Sequence, residues 1–243
     1  MTGLRFRSHA LTHVGLVRQR NEDACLDRPD IGLWAVADGM GGHEAGDFAS
    51  GRIVAALGEI APPGEVGALA EVCTARLREV DAELRAGAAM LGPAAVIAST
   101  VAVLLTGESE FACLWAGDSR IYRWRDGVLR QLTTDHSHVQ ELVDAGRLSP
   151  EAAARHPQSN IVTCAIGGGR LEFGNIRDTL CAGDRFLLCS DGLTNMVGHD
   201  EIGRELATPA APAAAAEQLL DLVLARGAID NVTIVIVVAE PVV

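Results

Sequence analysis

Four apolar runs in this chain carry an aspartate at one end, beside a glycine or an asparagine. LWAVADG closes on Asp38-Gly39, FACLWAGD on Gly117-Asp118 and RFLLCSDG on Asp191-Gly192, while DNVTIVIVV opens on Asp230-Asn231. Any one of these aspartates is accounted for as a turn former, because Asp, Asn and Gly let the backbone turn sharply at a strand end. Four in one chain, each against a run too apolar to face water, point instead to carboxylates gathered at strand ends. Such carboxylates repel one another in a low-dielectric setting unless cations neutralise them. All-oxygen ligation suits the hard ions Mg2+ and Mn2+, and no Cys or His spacing suggests zinc. The chemistry implied is hydrolysis at a two-metal site.

Two further segments bear on that chemistry. VRQRNEDACL, residues 17–26, supplies Arg18, Arg20, Glu22 and Asp23. It reads either as a solvated loop of mixed charge or as part of the site. In the second case Arg18 clamps phosphate in bidentate fashion, and Glu22 and Asp23 order metal-bound water. DGMGGHEAG, residues 38–46, is a glycine-rich lead into a helix, but it lacks the GKS or GKT ending of a nucleotide-binding loop and is not GxGxxG. Its glycines let backbone approach a metal, with the Gly39 carbonyl as a ligand.

The elements that must position these groups follow from periodicity and turn signals. Strand-like runs cover 33–37, 95–106, 110–115, 120–125, 128–132, 160–166, 171–179, 185–189 and 232–239, with Asp126-Gly127 as a hairpin turn. Helices are expected over 47–60 and 65–90, the latter with Val66, Leu69, Val72, Cys73, Leu77, Val80 and Leu84 on one face. Ser137 and Gln140 form a capping box for a short helix to Ala145, Ser149-Pro150-Glu151 opens another, and a last helix covers 213–225. Short turns between strands imply antiparallel pairing, and the missing βαβα alternation disfavours a doubly wound sheet. The expectation is one α+β domain over residues 1–243.

Composition removes other classes. A net charge of −12 leaves no basic surplus for a nucleic-acid backbone. No apolar run reaches the ~18 residues of a membrane span, and the N-terminus has no apolar core of a secretory signal. Six scattered cysteines, several inside apolar runs, read as core thiols of a reduced, cytoplasmic protein. The single Tyr122 and Trp34, Trp115 and Trp124 read as core or hairpin packing residues.

The ordered set RQRNED, ADGMGGHEAG, STVAVLL, GDSRIYRWRDG, TTDHS, CSDGL and DNVTIVIV resembles the PPM family, the metal-dependent type 2C serine/threonine protein phosphatases, in their compact bacterial form. The resemblance spans about residues 5–238. It implies a four-layer α-β-β-α sandwich, with two central antiparallel sheets flanked by helices. It also implies hydrolysis of phosphoserine and phosphothreonine in proteins by direct attack of a metal-bridging water. Asp38 would bridge two Mn2+ or Mg2+ ions, with the Gly39 carbonyl on one and Asp191 and Asp230 on the other. Asp118 matches the position linked to a third ion, Arg18 the phosphate-binding arginine, and 138–158 the flap beside the site. Glu22, Asp23 and Asn231 would support the ligands. The implied partners are phosphoproteins made by a serine/threonine kinase, met by a monomer. The alternative is a catalytically weak phosphoprotein-binding module of the same fold.

Two positions depart from the family pattern. Met40 stands where animal and plant members carry a histidine proposed as general acid, and Cys164 stands where relatives often carry arginine. His43 reads either as a replacement acid or as a loop histidine bonded locally.

Overall fold

The strand Leu33–Gly41 (β3) is apolar along most of its length because both of its faces are covered. Leu33, Ala35 and Ala37 point into one core, and Trp34 and Val36 into another. The computed structural model, which describes residues 3–41, 45–61, 64–153 and 155–242, repeats this alternation in every central strand. It is the two-faced burial expected of a sheet with packing on each side.

One sheet runs in the order β1 (Leu4–His13), β11 (Val232–Pro241), β10 (Arg185–Cys189), β7 (Arg120–Arg125) and β8 (Val128–Gln131). The other runs β2 (Asp23–Arg28), β3, β5 (Val101–Thr106), β6 (Glu110–Ala116) and β9 (Gly174–Thr179), with β4 (Ile97–Ser99) paired to the end of β3. Neighbours pair antiparallel throughout. Between the sheets lie Trp34, Val36, Leu104, Phe111, Phe186 and Val235. Helices α1 (Ala45–Gly58) and α2 (Val66–Leu91) seal the outer face of the second sheet through Ile53, Leu57, Cys73 and Leu77. Helices α5 (Asp191–Thr194), α6 (His199–Ala207) and α7 (Pro212–Ala225) seal the first through Leu193, Ile202 and Leu219. The result is the four-layer α-β-β-α sandwich that the resemblance implies.

Helices α3 (His138–Asp144) and α4 (Pro150–Ala153) lie between β8 and β9. The Ser137 side chain accepts from the Gln140 N–H at the start of α3, but the Gln140 side chain donates to Asp144 at 2.8 Å, so the expected capping box is an N-cap alone. Asp126 and Gly127 both adopt positive φ, 50° and 83°, which is the hairpin geometry that this dipeptide favours. Trp34, Trp115 and Tyr122 are buried, as are Cys73, Cys113, Cys164 and Cys189. None of the described helices is long and apolar enough to cross a membrane.

Several local expectations are corrected. β1 and β2 are strands that the sequence reading passes over. Their charged residues are tolerated because each strand closes the edge of a sheet and all of these residues but Asp23 are at least partly exposed. The run 95–106 is broken at Thr100 into β4 and β5, and 160–166 is a loop held by isolated bridges at Val162 and Ile166. Helix α6 also goes unanticipated. Asp38 lies within β3 rather than at its end, because residues 39–41 exchange β5 for β4 as their partner.

Candidate active site

Each proposed ligand sits where a strand stops or changes partner. Asp38 and Gly39 occupy the exchange point of β3. Asp118 lies in the turn between β6 and β7, Asp191 is the first residue of α5 directly after β10, and Asp230 and Asn231 immediately precede β11. These segments come from both sheets, yet they line one cavity of about 310 Å³ together with Arg18, Glu22 and Met40. Sequence reasoning missed three of its walls, Thr100, Asn160 and Val162. Thr100 lay within a quoted motif, whereas Asn160 and Val162 sit on a loop with no chemical signal of its own.

Glycine permits the close backbone contacts that bring these ends together. A Cβ on Gly39 would lie 2.0 Å from the Gly46 carbonyl oxygen and 2.6 Å from that of Glu22. One on Gly192 would lie 1.9 Å from the Asn231 oxygen. Asn231 then staples the 14–22 loop: its Oδ1 accepts from Glu22 N–H at 2.8 Å, and its Nδ2 donates to the Val14 and Arg20 carbonyls at 2.9 Å each. Its role is thus to hold the loop that carries Arg18. Thr100 Oγ1 accepts from Asp38 N–H at 3.1 Å and pairs with Ser119 Oγ at 2.7 Å, which joins the Asp38 and Asp118 segments.

The electrostatics are those of uncompensated acid. Burial, then Asp23, Asp191, Asp118 and Asp230, pushes the Asp38 carboxyl well above the usual carboxylate range. Burial, then Asp191 and Asp135, pushes Asp118 up to about 7. Burial and Asp230 raise Asp191, which accepts from Asn195 Nδ2 at 3.1 Å. Glu22 is raised by burial and by Asp47. Asp23 stands behind Asp38, in register with it on β2. Its Oδ2 accepts from the hydroxyls of Ser190 and Thr233 at 2.7 Å each, while its buried Oδ1 has no partner, and burial raises it to about 6.

Positive charge is scarce by comparison. Arg18 Nη2 lies 2.7 Å from Asp230 Oδ2, so the arginine assigned to phosphate also faces a proposed ligand. Arg120, close to Asp118 in sequence, is spent on Asp135 at 2.7 Å. A set of partly buried carboxylates with a backbone carbonyl and too few cations fits hard divalent ions, which bind through oxygen. Among the described residues no three side chains already close on a single point as a finished metal site; the donors line a shared cavity instead.

The remaining predicted positions resolve unevenly. Met40 lines the cavity. Cys164 is buried and turned into its own loop, its Sγ 3.2 Å from both the Glu172 amide and carbonyl, so it does not stand in for an arginine. His43 falls outside the described residues. A second cavity of about 780 Å³ opens between helices α3 and α4 on one side and α5 on the other, and shares Asp118, Asn160 and Asp191 with the first.

A protein-family profile described as protein phosphatase 2C matches residues 13–224. The serine/threonine protein phosphatase PstP of Mycobacterium tuberculosis is 38% identical over 233 residues, covering 96% of this chain. The chain spans only 45% of the length of that relative. Protein phosphatase PhpP of Streptococcus pneumoniae is 37% identical, with 93% of this chain and 95% of PhpP covered. Among solved structures, PppA of Pseudomonas aeruginosa, described as a key regulatory component of its T6SS, superposes with a TM-score of 0.91 at 41% identity, covering 98% of this chain and 100% of PppA. The catalytic domain of PstP in complex with two manganese ions superposes with a TM-score of 0.85 at 36% identity, covering 98% and 99%.

Proposed function

The chain belongs to the protein phosphatase 2C family, and from that membership we propose that it is a metal-dependent serine/threonine protein phosphatase. The observation that carries this reading is the convergence of Asp38, Asp118, Asp191 and Asp230, from four separate segments, on one small cavity rimmed by Arg18. Similarity to the manganese-bound PstP domain supports it. Residues 1–243 then act as one phosphatase domain with a flap at 138–158. It works as a monomer in the cytoplasm on the products of a serine/threonine kinase.

Asp38, the Gly39 carbonyl, Asp191 and Asp230 would hold two Mn2+ or Mg2+ ions, and Asp118 would serve a third. When bound, these ions neutralise phosphoryl charge and acidify the water that attacks phosphorus. Arg18, at the rim, orients the phosphate through a planar fork that can face both Asp230 and phosphate oxygens. Glu22 and Asn231 keep the Arg18 loop in place, the latter through its two bonds to loop carbonyls. Met40 has no proton to give, so protonation of the leaving alkoxide falls to the Asp118 side, which opens into the larger cavity.

The test is phosphate release from phosphothreonine peptides. Activity should vanish in EDTA and return with Mn2+ or Mg2+. Full turnover by metal-free protein would sink the reading, and stoichiometric phosphopeptide binding without turnover in Mn2+ would favour a binding module.

A further inference from the structure

The acidic cavity has an apolar rim. Leu16 and Val17 are 62% and 64% exposed and directly precede Arg18; Ile229 is 57% exposed and directly precedes Asp230. Arg18 and Asp230, which both line the cavity, form an ion pair, and the three exposed aliphatic residues are their immediate chain neighbours on two adjacent loop segments. Their backbones are in contact. The Leu16 N–H donates to the Ala228 carbonyl at 2.8 Å, and a Cβ on Gly15 would lie 2.2 Å from the Asp230 oxygen. Ile161 is 45% exposed between Asn160 and Val162, which both line the cavity.

The outward placement of Ile229 is held against steric resistance. Ala228 is fully buried at φ 34°, in the left-handed region that a side chain disfavours. The turn is anchored by Arg226, whose Nη1 and Nη2 lie 2.9 and 2.6 Å from the two Glu201 carboxylate oxygens. Single exposed aliphatic groups need no explanation, but several that directly adjoin, along the chain, residues lining a reaction cavity offer a binding surface.

We propose that this rim binds the substrate segment beside the phosphorylated residue, selecting phosphoproteins with an aliphatic or aromatic side chain within two residues of it. The proposal rests on the phosphatase reading of the same cavity. A cavity of about 310 Å³ accommodates the phosphorylated side chain, so the flanking peptide must cross the rim. At about 3.3 Å per extended residue, the peptide positions one and two away from the phosphorylated residue stay close to the cavity edge, where the segments carrying Arg18 and Asp230 expose residues 16, 17 and 229. Acidic neighbours meet the carboxylates below, whereas apolar ones bury against the rim.

The test uses Mn2+-loaded full chain and phosphothreonine peptides that differ only in carrying Leu, Phe, Ser or Glu at the two positions on either side. Nitrophenyl phosphate, which has no flanking residues, reports the chemistry alone. The wild type should favour the Leu and Phe peptides over Ser by about tenfold in kcat/KM, mostly through KM. The paired substitution Leu16→Ser with Val17→Ser, and separately Ile229→Ser, should shrink that ratio to about twofold. Leu16→Lys should move the preference toward Glu, a gain that a misfolded variant cannot mimic. Peptides all cleaved, with the ratio identical in wild type and variants, overturn this inference and leave the phosphatase reading standing. If sedimentation shows a dimeric wild type and monomeric variants with an unaltered ratio, the rim joins two copies and the inference falls. Turnover of nitrophenyl phosphate with none of any phosphopeptide overturns both.

Discussion

Asp38 concentrates the electrostatic cost of the site, because four other aspartates raise its carboxyl beyond what burial alone does. Asp23 at about 6 and Asp118 at about 7 are likewise raised above the ordinary carboxylate value of 3.8. A raised acid binds its proton more tightly in the folded chain than in the unfolded one, so stability is fullest at low pH and falls as the pH climbs through the folded value. The metal-free protein should therefore lose Tm between about pH 4 and 7, with Mn2+ restoring most at the upper end. Asp38→Asn removes one charge at constant shape. It should flatten that pH dependence, abolish Mn2+ binding in calorimetry and cut turnover by about three orders of magnitude. A metal-free Tm that climbs with pH, or unchanged Mn2+ binding by the variant, would contradict the assignment.

At the scale of elements, the site depends on how closely α1 approaches β3. Gly39 meets the Gly46 carbonyl oxygen with no room for a methyl group. In Gly39→Ala either the first turn of α1 or the Asp38-Gly39 backbone must move. Mn2+ affinity should drop at least about tenfold, since ligand geometry tolerates little displacement. Gly51, on the exposed face of the same helix with nothing within 4 Å, is the control. Gly51→Ala should raise unfolding free energy by about 0.5–1 kcal/mol through helix propensity and leave Mn2+ binding intact. Equal Mn2+ affinities for the two variants would show that the close approach is not what sets the ligands.

For the whole molecule, the joint between the sheets is decisive, because the ligands come from both. Phe186 of β10 and Phe111 of β6 meet edge to face at 4.9 Å and are fully buried between the sheets. Phe186→Ala should lower unfolding free energy by about 3–5 kcal/mol in urea titrations. A loss under about 1 kcal/mol would mean that other residues carry the joint.

The strands with continuous apolar runs, the amphipathic α2, the Asp126-Gly127 hairpin and the Ser137 cap were legible from sequence because their signals are local: period, turn chemistry, side-chain capping. The aspartates too were visible, as acids beside runs that must be buried. What remained hidden depends on partners distant along the chain. β1 and β2 become strands only because β11 and β3 offer them an edge, and 160–166 stays a loop because only two of its residues find a bridge. Likewise, residue type could place Asp23 near the site, but only the packed sheets set it behind Asp38 beneath the hydroxyls of Ser190 and Thr233. The sequence by itself determined which groups could do the chemistry. Their convergence, the Arg18–Asp230 contact and the apolar rim were decided by tertiary structure, since backbone contacts such as Gly39 on Gly46 form only when two sheets and a helix close together.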